Sequence, residues 1–150
     1  MKEIINASQL KLGEIASIKF VDENTGQLDF YSPNFPVKWP CGLIDIINTK
    51  FSNIGIDNTA TPQNRQMGDF TLEIRIANLK LTNSSGMAPA PQQEQAQSIW
   101  DIIEEVHVKF QGFRPTEMCG KLIRTGINRV AREDGVQEYV LLYSGDVQNV

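Results

Sequence analysis

The sequence holds a single histidine, His107, and only two cysteines, Cys41 and Cys119, 78 positions apart. Each scarcity removes a class of chemistry. Structural zinc sites draw on clustered Cys and His ligands, and no CxxC or comparable spacing occurs here. A cysteine nucleophile needs a base beside it, and nothing in the sequence relates the one histidine to either thiol. Two buried thiols in a reducing compartment are the expectation. No run approaches the ~18 apolar residues of a membrane span. The stretch "MKEIINASQLKLGEIASIKF" has no continuous apolar core, so no signal peptide is expected. Positive charge is not in excess: 14 basic residues against 18 acidic ones leave a net charge of −4, which argues against broad nucleic-acid binding. GxSxG, P-loop and GxGxxG patterns are all missing.

What is present is ordinary globular usage, with 41% hydrophobic and 21% charged residues in a chain of 150. A chain of that size forms one domain, here residues 1–150, and buries roughly two-thirds of its unfolded surface without disulfides or metal.

Periodicity predicts a helix over about 2–16, with Ile4, Ile5, Ser8, Leu12 and Ile15 on one face and Leu10 to one side. "SIKFVDENTGQLDFYS" reads as a short hairpin turning at "ENTG". The prolines of "SPNFPVKWPCG" delay the next strand to Trp39 or Cys41, from where it runs through "CGLIDIINTKF". "SNIGIDNTATPQNRQMG" reads as a long polar loop. In "DFTLEIRIANLKL", Phe70, Leu72, Ile74 and Ile76 alternate with Thr71, Glu73, Arg75 and Ala77, the pattern of a strand with one wet face. After the polar loop "TNSSGMAPAPQQ", a helix over about 91–110 carries Ala96, Ile99, Trp100, Ile103, Val106 and Phe110 on its apolar stripe, with Gly112 near its C-cap. Trp100, Ile103 and Phe110 are expected to cover the sheet. Two closing strands follow, "CGKLIRTGINRVAR" with a bulge near Gly120 or Gly126, and "VQEYVLLYSGDV" after an "EDG" turn. The fold class is α+β: one mainly antiparallel sheet with two helices packed on one face.

Few residues offer chemistry. Glu104 and His107 form one ExxH pair, whereas di-metal bundles use two such pairs plus further glutamates. His107 therefore reads as a helix-surface histidine near the C-terminal end, where positive charge is favoured. The acidic runs "IIEEV" and "REDG" read as a solvated helix face and a turn. Lys121, Arg124, Arg129 and Arg132 mix both strand faces and read as a solvated strand or a salt-bridged subunit contact. No catalytic, cofactor or metal residues are assigned.

In the order of its blocks, the chain resembles the tail-terminator, or tail-completion, proteins of long-tailed bacteriophages and prophages. An N-terminal amphipathic helix leads into "IKFVDENTGQ". "NFPVKWPCGLIDI" is similar to the family's Phe-Pro lead into a central strand, although that family runs continuously apolar where this chain has "VKWPCG". "QMGDFTLEIRIA", "SIWDIIEEVHVKFQGF" and "LIRTGINRVAREDGVQEYVLLYSGDV" resemble its long strand, second helix and closing hairpin. The blocks span most of residues 1–146.

The resemblance implies a virion protein without catalysis or cofactor. It would form a ring, hexameric in the family, that caps the tail tube, ends its growth and presents a surface to the head. The implied partners are other copies of the chain, the tail tube protein and the head–tail connector, with no membrane. DNA would pass through the lumen unread, which suits an acidic chain. Assembly would occur in the host cytoplasm, at the head-proximal end of the tail. Long loops on a rigid scaffold carry contacts, so the candidate interface residues are Asn58, Thr61, Gln63, Arg65 and Gln66 in one loop. Met87, Pro89 and Pro91 are candidates in the second, and Arg132, Glu133 and Asp134 at the hairpin tip. Sheet edges, with Asp69–Leu79 as the example, are expected to pair across subunits. The alternatives are another ring-forming part, such as a head–tail joining or tube protein, and a small α+β enzyme or ligand-binding domain, which would need a pocket with converging polar groups.

Overall fold

A computed structural model describes residues 1–29, 36–80 and 84–150. Helix α1 (Lys2–Gly13) is followed by strands β1 (Phe20–Glu23), β2 (Cys41–Ile56) and β3 (Asn64–Leu79). Helices α2 (Ala90–Ala96) and α3 (Ser98–Phe110) come next, then β4 (Ile123–Val130) and β5 (Val136–Gln148). The strands form one sheet in the order β1-β2-β3-β5-β4, antiparallel at every step except β1 with β2. The class is the expected α+β, with three helices rather than two.

The core lies between the sheet and the helices. Phe70, Leu72, Ile74 and Ile76 of β3 face it, in register with Gly145, Tyr143, Leu141 and Tyr139 of β5. From α1 come Ile4 and Leu12; from α3 come Ile99, Ile102, Ile103, Val106 and Phe110. The close approach of α1 accounts for the glycine of "VKWPCG": a Cβ on Gly42 would sit 2.5 Å from Leu12 Cδ2 and force the buried Leu12 side chain to shift.

Several expectations give way. The helix over 91–110 is broken at Gln97 (φ −99°, ψ 4°), which ends α2 and begins α3. Trp100 covers the sheet only in part: it rests on Tyr139 of the last strand but is 45% exposed, whereas Ile102 is buried. Among the described residues of 18–29 no hairpin forms. β1 pairs parallel with β2, Phe20 opposite Cys41. The turn after β1 is closed by its own side chains: Gln27 Nε2 donates to the Glu23 carbonyl at 2.9 Å, and Gln27 Oε1 accepts from the Thr25 amide at 2.8 Å. Of the expected return strand "QLDFY", Phe30 and Tyr31 lie outside the described residues.

The supposed loop over 52–68 is mostly strand. β2 continues to Ile56 and β3 starts at Asn64, leaving a tip of residues 57–63. Polar sequence hides these strands because backbone pairing, not core burial, holds them. The second face of the sheet is also not simply wet. Leu28, Cys41, Leu43, Ala77 and Val136 form a smaller buried cluster, with Phe20, Val37, Trp39 and Leu79 packed against it. The "CGKLIR" strand starts late, at Ile123, and the bulge falls between Arg124 and Gly126. Cys119 makes an isolated bridge to Val147.

Candidate interaction surfaces

Asp69–Leu79 is not an edge. β3 is central: each residue from Asp69 to Leu79 has a partner on β5, and Asp69 and Thr71 to Ala77 also have one on β2. The edges lie elsewhere. β1 covers β2 only from Cys41 to Ile44, so the remaining twelve of its sixteen residues, Asp45 to Ile56, pair with β3 on one side and have no strand on the other among the described residues. At the far side of the sheet, β4 pairs among the described residues with β5 alone.

The β2–β3 hairpin projects as an arm whose β3 side is anchored. Gln66 and Val150 exchange backbone hydrogen bonds at 3.3 and 3.2 Å. Arg65 donates to the carbonyls of Pro62 (3.2 Å) and Asn149. At the tip, Asp57 Oδ1 accepts from the Thr59 amide (2.9 Å) and hydroxyl (2.6 Å), and these bonds hold its carboxyl below the usual range. The arm is thus ordered backbone with one open side. It carries Phe51, Ile54, Ile56 and Met67 exposed, an unusual density of apolar side chains for a solvated strand pair. Phe51 lies across Gly68, where a Cβ would come within 2.5 Å of the ring.

The candidate residues separate to the two ends of the sheet. Asn58, Thr61 and Gln63 are exposed at the tip, while Arg65 and Gln66 belong to β3 itself. Met87, Pro89 and Pro91 are exposed at the opposite end, Met87 to 95%. That end also holds the β4–β5 turn, where the Lys80 amide donates to the Gly135 carbonyl at 2.9 Å. A strand of sixteen residues separates the ends by about 50 Å.

Of the three candidates in that turn, only Glu133 is exposed. The Arg132 side chain is 5% exposed and forms the hub of an ion network on the second face. Its Nη2 donates to Asp134 Oδ2 at 2.6 Å and its Nη1 to Glu138 Oε1 at 3.2 Å. Arg75 meets Glu138 Oε2 at 3.3 Å and Glu73 Oε1 at 2.7 Å. Of the candidates at this turn, Arg132 and Asp134 are thus engaged within the chain. The Arg132–Asp134 pair is local in sequence, but Glu73, Arg75 and Glu138 come from β3 and β5 and gave no local signal.

Burial pushes the Glu138 carboxyl above its ordinary range, against the pull of Arg75 and Arg132. The Arg132 hydrogen bond holds Asp134 below its own. The signs are opposite. Asp134 contributes stability above the ordinary aspartate pKa of about 3.9, and that contribution is lost as pH falls through its folded value. Glu138 contributes below the ordinary glutamate value of about 4.3 and loses that contribution as pH rises through its folded value. The stability deficit of Asp134→Asn relative to the parent chain is therefore expected to be largest near neutral pH and to close below pH ~4. Urea unfolding of both proteins across that range measures it.

Beside the network, a groove of about 480 Å³ is lined by Lys80, Trp100, Arg129, Arg132, Gln137 and Tyr139. Trp100 and Tyr139 meet with ring centroids 4.8 Å apart. Gln137 is tied to the Ala96 carbonyl at 3.0 Å. His107 is half-buried, its Nδ1 3.4 Å from the Tyr143 hydroxyl, and burial pushes that phenol up to about 12. Cys41 and Cys119 are free and buried, and burial raises the Cys41 thiol to about 12, beyond use as a nucleophile at neutral pH. Among the described residues no three His, Cys, Asp or Glu side chains gather as a metal site, and no helix is long and apolar enough to cross a membrane.

No protein-family model matches the chain, and no curated protein matches it. Solved structures do. One is a chain from the virion of a native gene transfer agent particle, which aligns with a TM-score of 0.56 at 10% identity. The alignment covers 97% of this chain and 94% of that one. At this identity the likeness establishes a shared fold over nearly the full length of both.

Proposed function

We propose that the protein is a structural component of a phage-like virion, a tail terminator that forms a ring on the head-proximal end of the tail tube. The observation that carries this reading is the end-to-end sharing of fold with a chain of a gene transfer agent virion. The block order described above agrees with it. So does a sheet with two unlike open edges and two exposed ends about 50 Å apart. A ring of such chains offers the arm tips on one side and the Met87 loop with the β4–β5 turn on the other, one for the tube and one for the head connector. The reading assigns no catalysis and no cofactor, and DNA would cross the lumen without sequence-specific contacts.

The test is addition of the purified protein to a polymerising preparation of the cognate tube protein. Binding at tube ends with arrest of growth is expected. Incorporation along the tube would indicate a tube protein instead. Shortening the arm by joining Asn53 to Gln66 through an Asn-Gly turn is expected to change unfolding stability by less than ~1 kcal/mol, since most of the removed residues are exposed. End binding in the same variant should fall at least tenfold.

A further inference from the structure

We infer that consecutive copies of this chain join edge to edge, β4 of one copy pairing antiparallel with the open edge of β2 in the next. The inference rests on the ring reading and supplies its contact. Strand directions fix the geometry. β1, β2 and β5 run one way, β3 and β4 the other. Continuing the sheet by rotation about an axis along the strands therefore sets β4 against an oppositely directed β2. The two edges differ, so the contact is head to tail, the kind that closes into a ring when the rotation fits. The open stretch of twelve residues accommodates the eight of β4.

Charge selects the partner. From Cys119 to Arg132 the chain carries Lys121, Arg124, Arg129 and Arg132 and no acidic residue. Arg132 is committed to its network, but Lys121 and Arg129 are exposed and make no ion pair among the described residues. The other edge presents Asp22 and Glu23 on β1 and Asp45 at the point where β2 becomes uncovered, all without an ion pair among the described residues. Lys50 further along stands opposite Asp69 in the ladder, which balances it locally. Two acidic edges repel, as do two basic ones, so only the unlike pairing is favoured. Apolar groups lie along the same lines: Ile123 and Ile127 are exposed on β4, Phe51, Ile54 and Ile56 on β2. Backbone pairing of these edges would cover them and satisfy both rows of open peptide groups. It would also place Lys121 and Arg129 between subunits rather than in the lumen.

The test uses full-length chains carrying one new cysteine each, Ile127→Cys and Ile54→Cys, treated with a short bis-maleimide, which traps even transient contacts. The native thiols are buried and react slowly. Cross-linked dimer in the mixture, and little with either chain alone, is the expected result. Cross-linking of the Ile54→Cys chain by itself would mean a symmetric arm-to-arm pair and overturn the inference. No cross-link while light scattering still records rings would overturn it and leave the ring reading standing. No cross-link and no oligomer, in solution or on tube ends, would defeat both. Charge reversal gives a second measure. Lys121→Glu with Arg129→Glu, or Glu23→Lys with Asp45→Lys, is each expected to weaken association about 10- to 100-fold, and the chain bearing all four should recover most of it. Loss without recovery would remove the charge argument.

Discussion

Glu138→Ala is expected to cost about 3–5 kcal/mol of unfolding free energy, the range for breaking a buried charge pair from one side. Glu138 is 2% exposed and receives two guanidinium groups, Arg75 at 3.3 Å and Arg132 at 3.2 Å. Its removal takes one of two described carboxylate partners from Arg132, whose side chain is 5% exposed. Charge left in low dielectric without its partner is costly because water cannot replace it. Glu138→Gln keeps the shape and some hydrogen bonding, and its cost should fall clearly below that of alanine. The contrast is Glu14, exposed and paired with Lys109 at 3.1 Å and Lys11 at 3.6 Å. Glu14→Gln should be silent in the same urea titration, because solvent already screens that cluster.

The second large effect separates two aromatic residues of one helix. Phe110→Ala is expected to cost about 3–5 kcal/mol. The ring is fully buried and packs against Phe113 and Tyr143, with centroids 5.8 and 5.9 Å away. Trp100→Ala is expected to cost about 1 kcal/mol, the worth of one aromatic pair beyond burial. Trp100 keeps nearly half its surface in water and rests on Tyr139 alone among the described aromatic contacts. Chemical denaturation of the two variants measures the ratio. Equal costs would mean that Trp100 belongs to the core after all.

Phe70 to Ile76 and the stripe from Ile99 to Phe110 could be read because burial on one face imposes a period, and the structure buries those faces. Trp100 misled because the stripe was counted from Ala96, which the break at Gln97 puts in a separate helix; within α3 the buried face is Ile99, Ile102, Ile103, Val106 and Phe110. The arm was illegible for a different reason. Its strands are held by backbone bonds that polar side chains permit equally well, so Asn53, Asn64 and Gln66 carried no periodic signal. Exposed Phe51, Ile54 and Ile56 were the available clue, spaced as a strand pair with a bulge rather than as a loop. Likewise the ion network joins Glu73 and Arg75 to Glu138 across 63 positions, a separation at which no local pattern speaks. Of the candidate interface, exposure at Asn58, Thr61, Gln63, Met87, Pro89 and Pro91 followed from loop composition. The open strand edges could come only from the order β1-β2-β3-β5-β4.

The central claim is that this chain closes into a ring of limited size. Light-scattering mass of the 16.8 kDa chain across concentration, alone and with cognate tube ends, tests it most directly. The account predicts a mass that rises to a hexameric plateau and goes no further. Open-ended growth into long tubes, or a monomer that stays monomeric even on tube ends, would contradict it.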